Sequence, residues 1–478
     1  MLLKTKGMTQ SFLITVFALS QFNQIAHATL TPDRKDRGQS KAFYEIPNSG
    51  GRTEACIIPR FLPGVKYPKK SLETMQELCS LNLYEQATAP GSHLALACQK
   101  TNSTNPGLNI FEVPPEMHGT DCDDSDKLDK AGKYKLSTSC SYTPGILGYF
   151  HVSQALGKVA NVPESVMRTL DVKHHLAIIA DAMPEIKKNP TMVLTVGSLT
   201  PHLENPAGSK KRDALFTDSL KESYGAFILN PSREAVYSEM FVRPNAADLA
   251  KSGGVQNIGR AYAFSRAQPH FQLVKNKTPI AELVDDVMSN YDILINMRDI
   301  ADMIVIDTIM SQEDRFGNVA FQPFKAVMLK KDGEEKIELI NPKKLAEKLA
   351  EFKSEGWTDI GSDDVKQMIL KDNDCSVSRE NVLGKAGLVK ELAHIDPKTY
   401  QHLLRFNASL KNPDTQAVFL VDMYFTSTDF SNMQKNANLV TQTLYAKCKD
   451  GSLKLDLDIE TYMMTGKVEQ QSCEMEQP

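Results

Sequence analysis

Hydrophobic and polar positions along this chain fall into two regimes, short apolar runs first and helical stripes afterwards. Residues 29–108 are rich in Pro, Gly, Ser and Asn, as in Thr101-Asn102-Ser103-Thr104-Asn105-Pro106-Gly107, which predicts a loop-rich region packed on the main body. Apolar runs at 109–113 and 133–136 predict strands, and further strands are expected at 192–196 and 226–229. Between them Ile146 and Phe150, then Val152, Leu156 and Val159, recur at helical spacing over about 144–159. Asn161-Val162-Pro163 ends that helix, because proline disfavours helix in the residue before it. Beyond Gly253-Gly254 the character becomes helical. Ile280, Leu283, Val284 and Val287 form an i, i+3, i+4, i+7 stripe over 279–291, and Ile300, Met303, Ile306 and Met310 mark a second helix over 297–310. Asp332-Gly333 is a hairpin turn between strands at 326–329 and 336–340. Asn341 and Pro342 then read as N-cap and first position of a helix carrying Leu345, Leu349 and Phe352 on one face. The order predicts an α+β fold of two lobes, a mixed sheet with one helix and then a mainly helical part.

The first residues change what this fold is for. Lys4 and Lys6 precede an apolar core at 12–19, and Ala26-His27-Ala28 follows, the three parts of a cleavable signal peptide over 1–28, so the mature chain starts near Thr29. That core is far short of the about 20 apolar residues a transmembrane helix needs, and no transmembrane segment is expected later. The destination is periplasmic, secreted or a secretory lumen. All eight cysteines lie beyond the signal: Cys56, Cys79, Cys98, Cys122 and Cys140, then Cys375, Cys448 and Cys473. An even count in an exported chain predicts disulfides, and if all pair, at least one bridge joins the two groups. No CxxC spacing suggests zinc. The formal net charge is −4 and no concentrated Lys/Arg face is present, so nucleic acid is not an expected partner. The expected organisation is signal peptide 1–28, disulfide-stapled region 29–110, N-lobe-like region 111–245 and helical region 246–478.

Reactive groups are densest in Asp307-Thr308-Ile309-Met310-Ser311-Gln312-Glu313-Asp314-Arg315-Phe316-Gly317-Asn318, which leaves the second helix and enters the apolar run 319–321. Phosphoryl transfer asks for a carboxylate to orient the attacking hydroxyl, a group to hold Mg²⁺, and cations for phosphate charge. Asp314, Asn318 and Arg315 are of the right types. Elsewhere, Asp121, Asp123 and Ser125 begin like a calcium loop, but Asp126 stands where that loop needs glycine and Gly132 where it needs glutamate, so an acidic turn is expected. His174-His175 are the most conspicuous histidines, without a G-x-S-x-G or HExxH signature.

The segment 300–321 resembles the catalytic loop of atypical kinases, the class of phosphoinositide kinases, HipA-type bacterial kinases and secretory-pathway kinases. Residues 147–168 (LGYFHVSQALGKVANVPESVMR) are similar to the N-lobe helix of that class. The resemblance implies a kinase-like fold with an N-lobe before about residue 245. It implies Asp314 as catalytic base supported by Arg315, Asn318 as a metal ligand, and Lys135, then Lys133 and Lys100, as the lysine on the phosphates. The second metal ligand would be Asn341 at the end of the next hairpin, or Asp359 of Asp359-Ile360-Gly361. Cofactors would be Mg²⁺ and ATP, and the acceptor a protein or small-molecule hydroxyl. Three departures accompany it: Asn318 lies one residue closer to Asp314 than in the class, Asn341 is neutral where an aspartate is expected, and the helix 148–158 has no glutamate to pair with the lysine. An exported chain also leaves the cytoplasmic ATP pool behind. A catalytically inactive kinase-fold binding module and an envelope hydrolase therefore stand as alternatives. The oligomeric state is not legible in the sequence.

Overall fold

The computed structural model describes residues 42–47, 53–84, 93–103, 105–231, 234–237, 269–283, 287–315, 319–379, 381–465 and 471–474. The signal peptide over 1–28 and Asn318 lie outside the described residues. The first half builds an eight-stranded sheet from β1 (Ala42–Pro47), β2 (Thr53–Ile58), β3 (Leu81–Asn82), β4 (His93–Gln99), β5 (Gly107–Glu112), β6 (Lys130–Leu136), β7 (Ser165–Asp171) and β8 (Glu222–Leu229). Their spatial order is β1-β2-β7-β8-β6-β5-β4-β3. Residues 29–108 thus contain more regular structure than their loop-like composition predicts: among the described residues, strands β1 to β4, the start of β5 and helix α1 (Lys69–Ser80). The reason is tertiary, since Cys56–Cys79 ties β2 to α1 and Cys98–Cys122 ties β4 to the acidic turn. That turn, 122–127, is a short 3₁₀ helix capped by Asp121.

Helix α2 (Thr143–Ala155) is buried on every side between the sheet and the second half, which accounts for its apolar content all round. Helix α3 (Val172–Ile186) starts at Asp171, whose carboxylate accepts the Lys173 and His174 N–H groups. The strand expected at 192–196 is instead a helix, Pro190–Gly197. Asn189 caps it and Pro190 opens it, and Met192, Thr195 and Val196 are its buried face. The consecutive apolar residues Met192, Val193 and Leu194 concealed that i, i+3, i+4 relation.

In the second half the long helix α4 (Val287–Ile309) is central. Ile295, Ile300, Ala301, Met303, Val305, Ile306 and Ile309 are all fully buried, so apolar side chains face inward around its whole circumference. A second sheet has the order β11-β10-β12, formed by β10 (Val319–Lys331), β11 (Glu334–Ile340) and β12 (Thr358–Leu370), with the two-residue strand β9 (Ala235–Val236) also pairing with β10. Asp332 and Gly333 both take positive φ in the β10–β11 turn, as the sequence predicts. Between β11 and β12, helix α5 (Leu345–Ser354) covers a satellite cluster of Val327, Leu329 and Ile340 with Leu345, Leu349, Phe352 and Trp357. Helix α6 (Ser427–Lys449) opens with a Thr426/Asp429 capping box. The main apolar core is continuous across both halves. All eight cysteines are paired, and Cys140–Cys375 is the bridge that joins the two sequence groups, across 235 residues. Among the described residues no helix is long and apolar enough to cross a membrane.

Candidate functional site

Lys135 is the next-to-last residue of β6, hydrogen-bonded between β5 and β8, with Gly107 on one side and Ala226 on the other. Gly225 follows that register for steric reasons, because a Cβ there would strike the Lys135 carbonyl oxygen. The strand sends the Lys135 side chain into the seam between the halves, where the residue is 4% exposed. Its ammonium meets Asp372 Oδ1 at 2.9 Å and Asp374 Oδ2 at 2.8 Å. Burial alone would lower the Lys135 ammonium, but the two carboxylates outweigh it and hold it above its ordinary value. Lys135 in turn holds Asp372 well below the usual carboxylate range, against the opposite pull of burial, with Lys133 and Lys100 adding to it. Asp372 keeps 32% of its side chain open to solvent, whereas Asp374 keeps 3%.

The two aspartates reach Lys135 because of strand pairing remote in sequence. β12 runs antiparallel to β10 with Leu370 opposite Val319, so the chain leaving β12 passes beside the chain entering β10. The segments 310–315 and 371–377 are stitched together: Val377 N–H donates to the Met310 carbonyl at 2.7 Å and Glu313 N–H to the Cys375 carbonyl at 2.9 Å. The Gln312 amide links the carboxylate-bearing residues, donating to the Asp372 carbonyl at 3.4 Å and accepting the Asp314 N–H at 3.0 Å. Asp314 is partly buried in this loop.

Arg315 is fully buried. Its Nε and Nη2 donate to Asp307 at 2.7 and 3.0 Å, Nη1 to the Lys371 carbonyl at 2.7 Å, and Nη2 also to Asn373 Oδ1 at 2.5 Å. Tyr149 of α2 donates its hydroxyl to the same Asp307 at 2.8 Å. Arg315 therefore positions the loop from behind instead of facing a ligand. With Asp307 and Tyr149 it joins α4, α2 and the segment after β12.

Lys133, two residues before Lys135, shares its face of β6, and burial pushes its ammonium down. Burial, then Lys135, pushes Lys100 down to about 8, and burial, then Lys133, pushes Lys130 down to about 8. Lys100 stands on the β4–β5 loop and reaches Ser103 Oγ at 3.1 Å. These cations surround the Asp372 side of the seam, an arrangement that attracts anions.

Asn341 and Asp359 are not brought to this site. Asn341 caps the turn at 342–344, accepting the Lys343 N–H at 3.0 Å. It follows Ile340, which pairs with Lys325, about 20 Å along β10 from Val319 at the rise of an extended strand. Asp359 is exposed opposite Leu329, about 33 Å along the same strand. The physical reason is that β11 occupies the outer edge and the strand returning to the start of β10 is β12. The sequence reading paired adjacent strands and so overlooked Asp372 and Asp374. The exposed, polar first half of β12 (TDIGSDD) hides the strand; the legible signal was Lys371-Asp372-Asn373-Asp374 between an apolar run and a cysteine.

Among the described residues no group of three or more His, Cys, Asp or Glu forms a metal cage. Two neighbouring carboxylates nevertheless suit a Mg²⁺-type ion, which is commonly held by one or two carboxylates, water and substrate phosphates. Neither ring nitrogen of buried His175 has a hydrogen-bond partner, and His174 packs against the Tyr84 ring at 4.5 Å.

No protein-family model and no curated protein matches this chain. Solved structures do, two of them as follows. The Golgi casein kinase is similar at 10% identity and a TM-score of 0.33, with 74% of this chain and 71% of that chain covered. The Golgi casein kinase with Mn/ADP bound is similar at the same identity and TM-score, with 93% and 90% covered. In the α+β architecture described above, a sheet lysine meets two carboxylates of the segment after β12, beside the loop that ends α4. At these scores the likeness adds no functional argument to that geometry.

Proposed function

We propose that this chain is an exported kinase-like protein that binds a nucleotide and a divalent cation at the Lys135 seam and transfers phosphate to a protein or small-molecule hydroxyl. The observation that carries the reading is the convergence of Lys135 with Asp372 and Asp374 beside the Asp314 loop. Asp372 and Asp374 would hold Mg²⁺ or Mn²⁺, and Asn318 is retained as a further candidate ligand. The cation supplies charge neutralisation for the phosphates when bound. Lys135 would pass from the carboxylates to a phosphate oxygen as the carboxylates take up the cation. Lys100 and Lys133 would offset the remaining phosphate charge. Asp314 would accept the proton of the acceptor hydroxyl, oriented by the Gln312 bridge, and Arg315 would hold the loop in register from its buried pair with Asp307.

The test is thermal shift with Mg²⁺-ATP and Mn²⁺-ATP, together with radiolabel transfer, on wild type, Asp314→Asn and Asp372→Asn. Metal-dependent stabilisation is expected, lost in Asp372→Asn and retained in Asp314→Asn, with transfer falling by about 10²–10⁴ in Asp314→Asn as expected for a general base. Stabilisation without transfer in wild type would overturn catalysis and leave the inactive binding module. That second reading is favoured by one observation: α2 carries no glutamate, so Lys135 takes its partners from the metal-binding side instead. Absence of both signals would overturn the nucleotide site.

A further inference from the structure

Cys140, of the Cys140–Cys375 bridge, lines a cavity of about 480 Å³. Its walls come from distant parts of the chain: the turn after β6, the loop at 209–214 before β8, the segment 378–379 and the stretch 424–426. Four cationic side chains, Lys210, Lys211, Arg212 and Arg379, line it with a single carboxylate, Asp213, and Asp213 is engaged by Arg212 Nε at 2.8 Å. Lys210 and Lys211 have no carboxylate within ion-pair distance among the described residues. Lys211 is pushed down by burial and then by the nearby positive charge of Arg379. Arg379 is held in place by donating Nη2 to the Ser139 carbonyl at 2.7 Å, with Glu313 3.8 Å from its Nε.

Two more features suit an anion. Tyr142 and Pro144 at the cavity wall mark the start of α2, a 13-residue helix whose dipole favours negative charge there, while its Thr143 N–H is already taken by Ser137 Oγ at 3.0 Å. Ser141 also lines the cavity, is 4% exposed, and its hydroxyl has no hydrogen-bond partner. Leaving the buried Ser141 hydroxyl unmade is costly, and Lys210, exposed, and Lys211, half-buried, stand at the same cavity.

We propose that this cavity binds a phosphate monoester, with Lys211 and Arg379 as its principal cations. Its volume exceeds that of a bare ion and admits a phosphorylated side chain with the atoms next to it. Three acceptor oxygens and close to two negative charges match clustered cations and hydroxyl donors better than a lone carboxylate does. Lys135, Asp372 and Asp374 are not among the residues that line it, and the site requires no catalysis. Arg379 nevertheless lies four residues beyond Cys375, on the segment that carries Asp372 and Asp374, so an occupant would also steady that segment.

Titration calorimetry of the full chain, without nucleotide, would use two probes, a phosphoserine peptide and inorganic phosphate, with the unphosphorylated peptide and chloride at equal ionic strength as controls. Saturable binding is expected for a phosphate-bearing probe. Lys211→Glu, at a partly exposed position that folding tolerates, should weaken it by at least about tenfold, the loss of a charge-assisted contact. Lys135→Met should leave it intact, which separates this cavity from the nucleotide site. Tighter binding of the peptide identifies a phosphorylated protein segment as the source, and equal binding identifies small phosphates. No saturable binding by either probe, binding that survives Lys211→Glu, or binding lost in Lys135→Met would overturn the proposal. Nucleotide binding measured separately shows whether the function proposed above fails with it.

Discussion

Buried polar side chains in this chain divide into those that are answered and those that are not. Arg315 is answered at every nitrogen, by Asp307, Asn373 and the Lys371 carbonyl, so its charge is neutralised without reaching the seam. His175 is the opposite case, with both ring nitrogens unpartnered. Burial, then the neighbouring His174, pushes its pKa down to about 3. Its folded value lies below the unfolded one near 6.5, so the unfolded chain takes up the proton first as the solution is acidified. The stability associated with neutral His175 is present above pH 6.5 and is lost towards pH 3. His175→Leu is therefore expected to stabilise the fold by about 1 kcal/mol at pH 7 through removal of an unsatisfied buried group. The gain should widen by about 1.4 kcal/mol per pH unit below 6. Urea unfolding at pH 7 and pH 5 checks this, and a loss of stability at both values would contradict it.

At the scale of elements, the site depends on which strands pair. β10 accepts β11 on one edge and β12 on the other, and only the second pairing delivers Asp372 and Asp374 to β6. The Cys140–Cys375 bridge fixes the result covalently, since Cys140 lies five residues past Lys135 and Cys375 one residue past Asp374. Cys448–Cys473 closes only 25 residues near the other end of α6. Replacing Cys140 and Cys375 together by serine is expected to cost about 2–4 kcal/mol by the loop-closure argument. It should also weaken metal–nucleotide binding, whereas the Cys448/Cys473 double serine variant lowers stability alone. Thermal shift with and without Mn²⁺-ATP separates the two effects, and equal nucleotide responses in the two variants would remove the bridge from the site. Much at this scale was legible: strands β6 and β8, helix α2 and the turn at Asp332-Gly333 follow from local apolar runs and turn chemistry. The helix at 190–197 and strand β12 were not, because a short apolar run suits helix or strand equally and a polar strand at an exposed edge has no period to read.

For the whole molecule, the two halves share one apolar core, and acidic groups buried within it keep their protons to higher pH than exposed ones do. Burial raises Asp299 of α4 to about 7, although Arg298 and the Met368 N–H, a 2.9 Å donor from β12, pull it down. Its folded value lies above the unfolded value near 3.9, so the folded state holds the proton more tightly between these limits. That contribution is present below about pH 4 and is lost as the pH rises to 7, the reverse of the His175 case. Asp299→Asn keeps an acceptor for Met368 and should be close to neutral at pH 4 and stabilising at pH 8. Denaturant unfolding at the two values tests it, and a variant less stable at pH 8 would refute the assignment.

What the sequence determined by itself is local. The apolar spacing of α2 and α4, the Asn341 cap, the even cysteine count and the Asp314-Arg315 loop are each written within a few residues, where propensity and periodicity act. The partners of that loop were decided by tertiary structure. Asp372 and Asp374 stand more than 230 residues from Lys135 in the chain, and nothing in their neighbourhood announces the lysine they meet. Long-range pairing depends on which edge of β10 is left for β12 once β11 has folded back, and on a core that closes around α2 and α4. Those are properties of packing, and they bring the Lys135 ammonium and two carboxylates together beside that short loop.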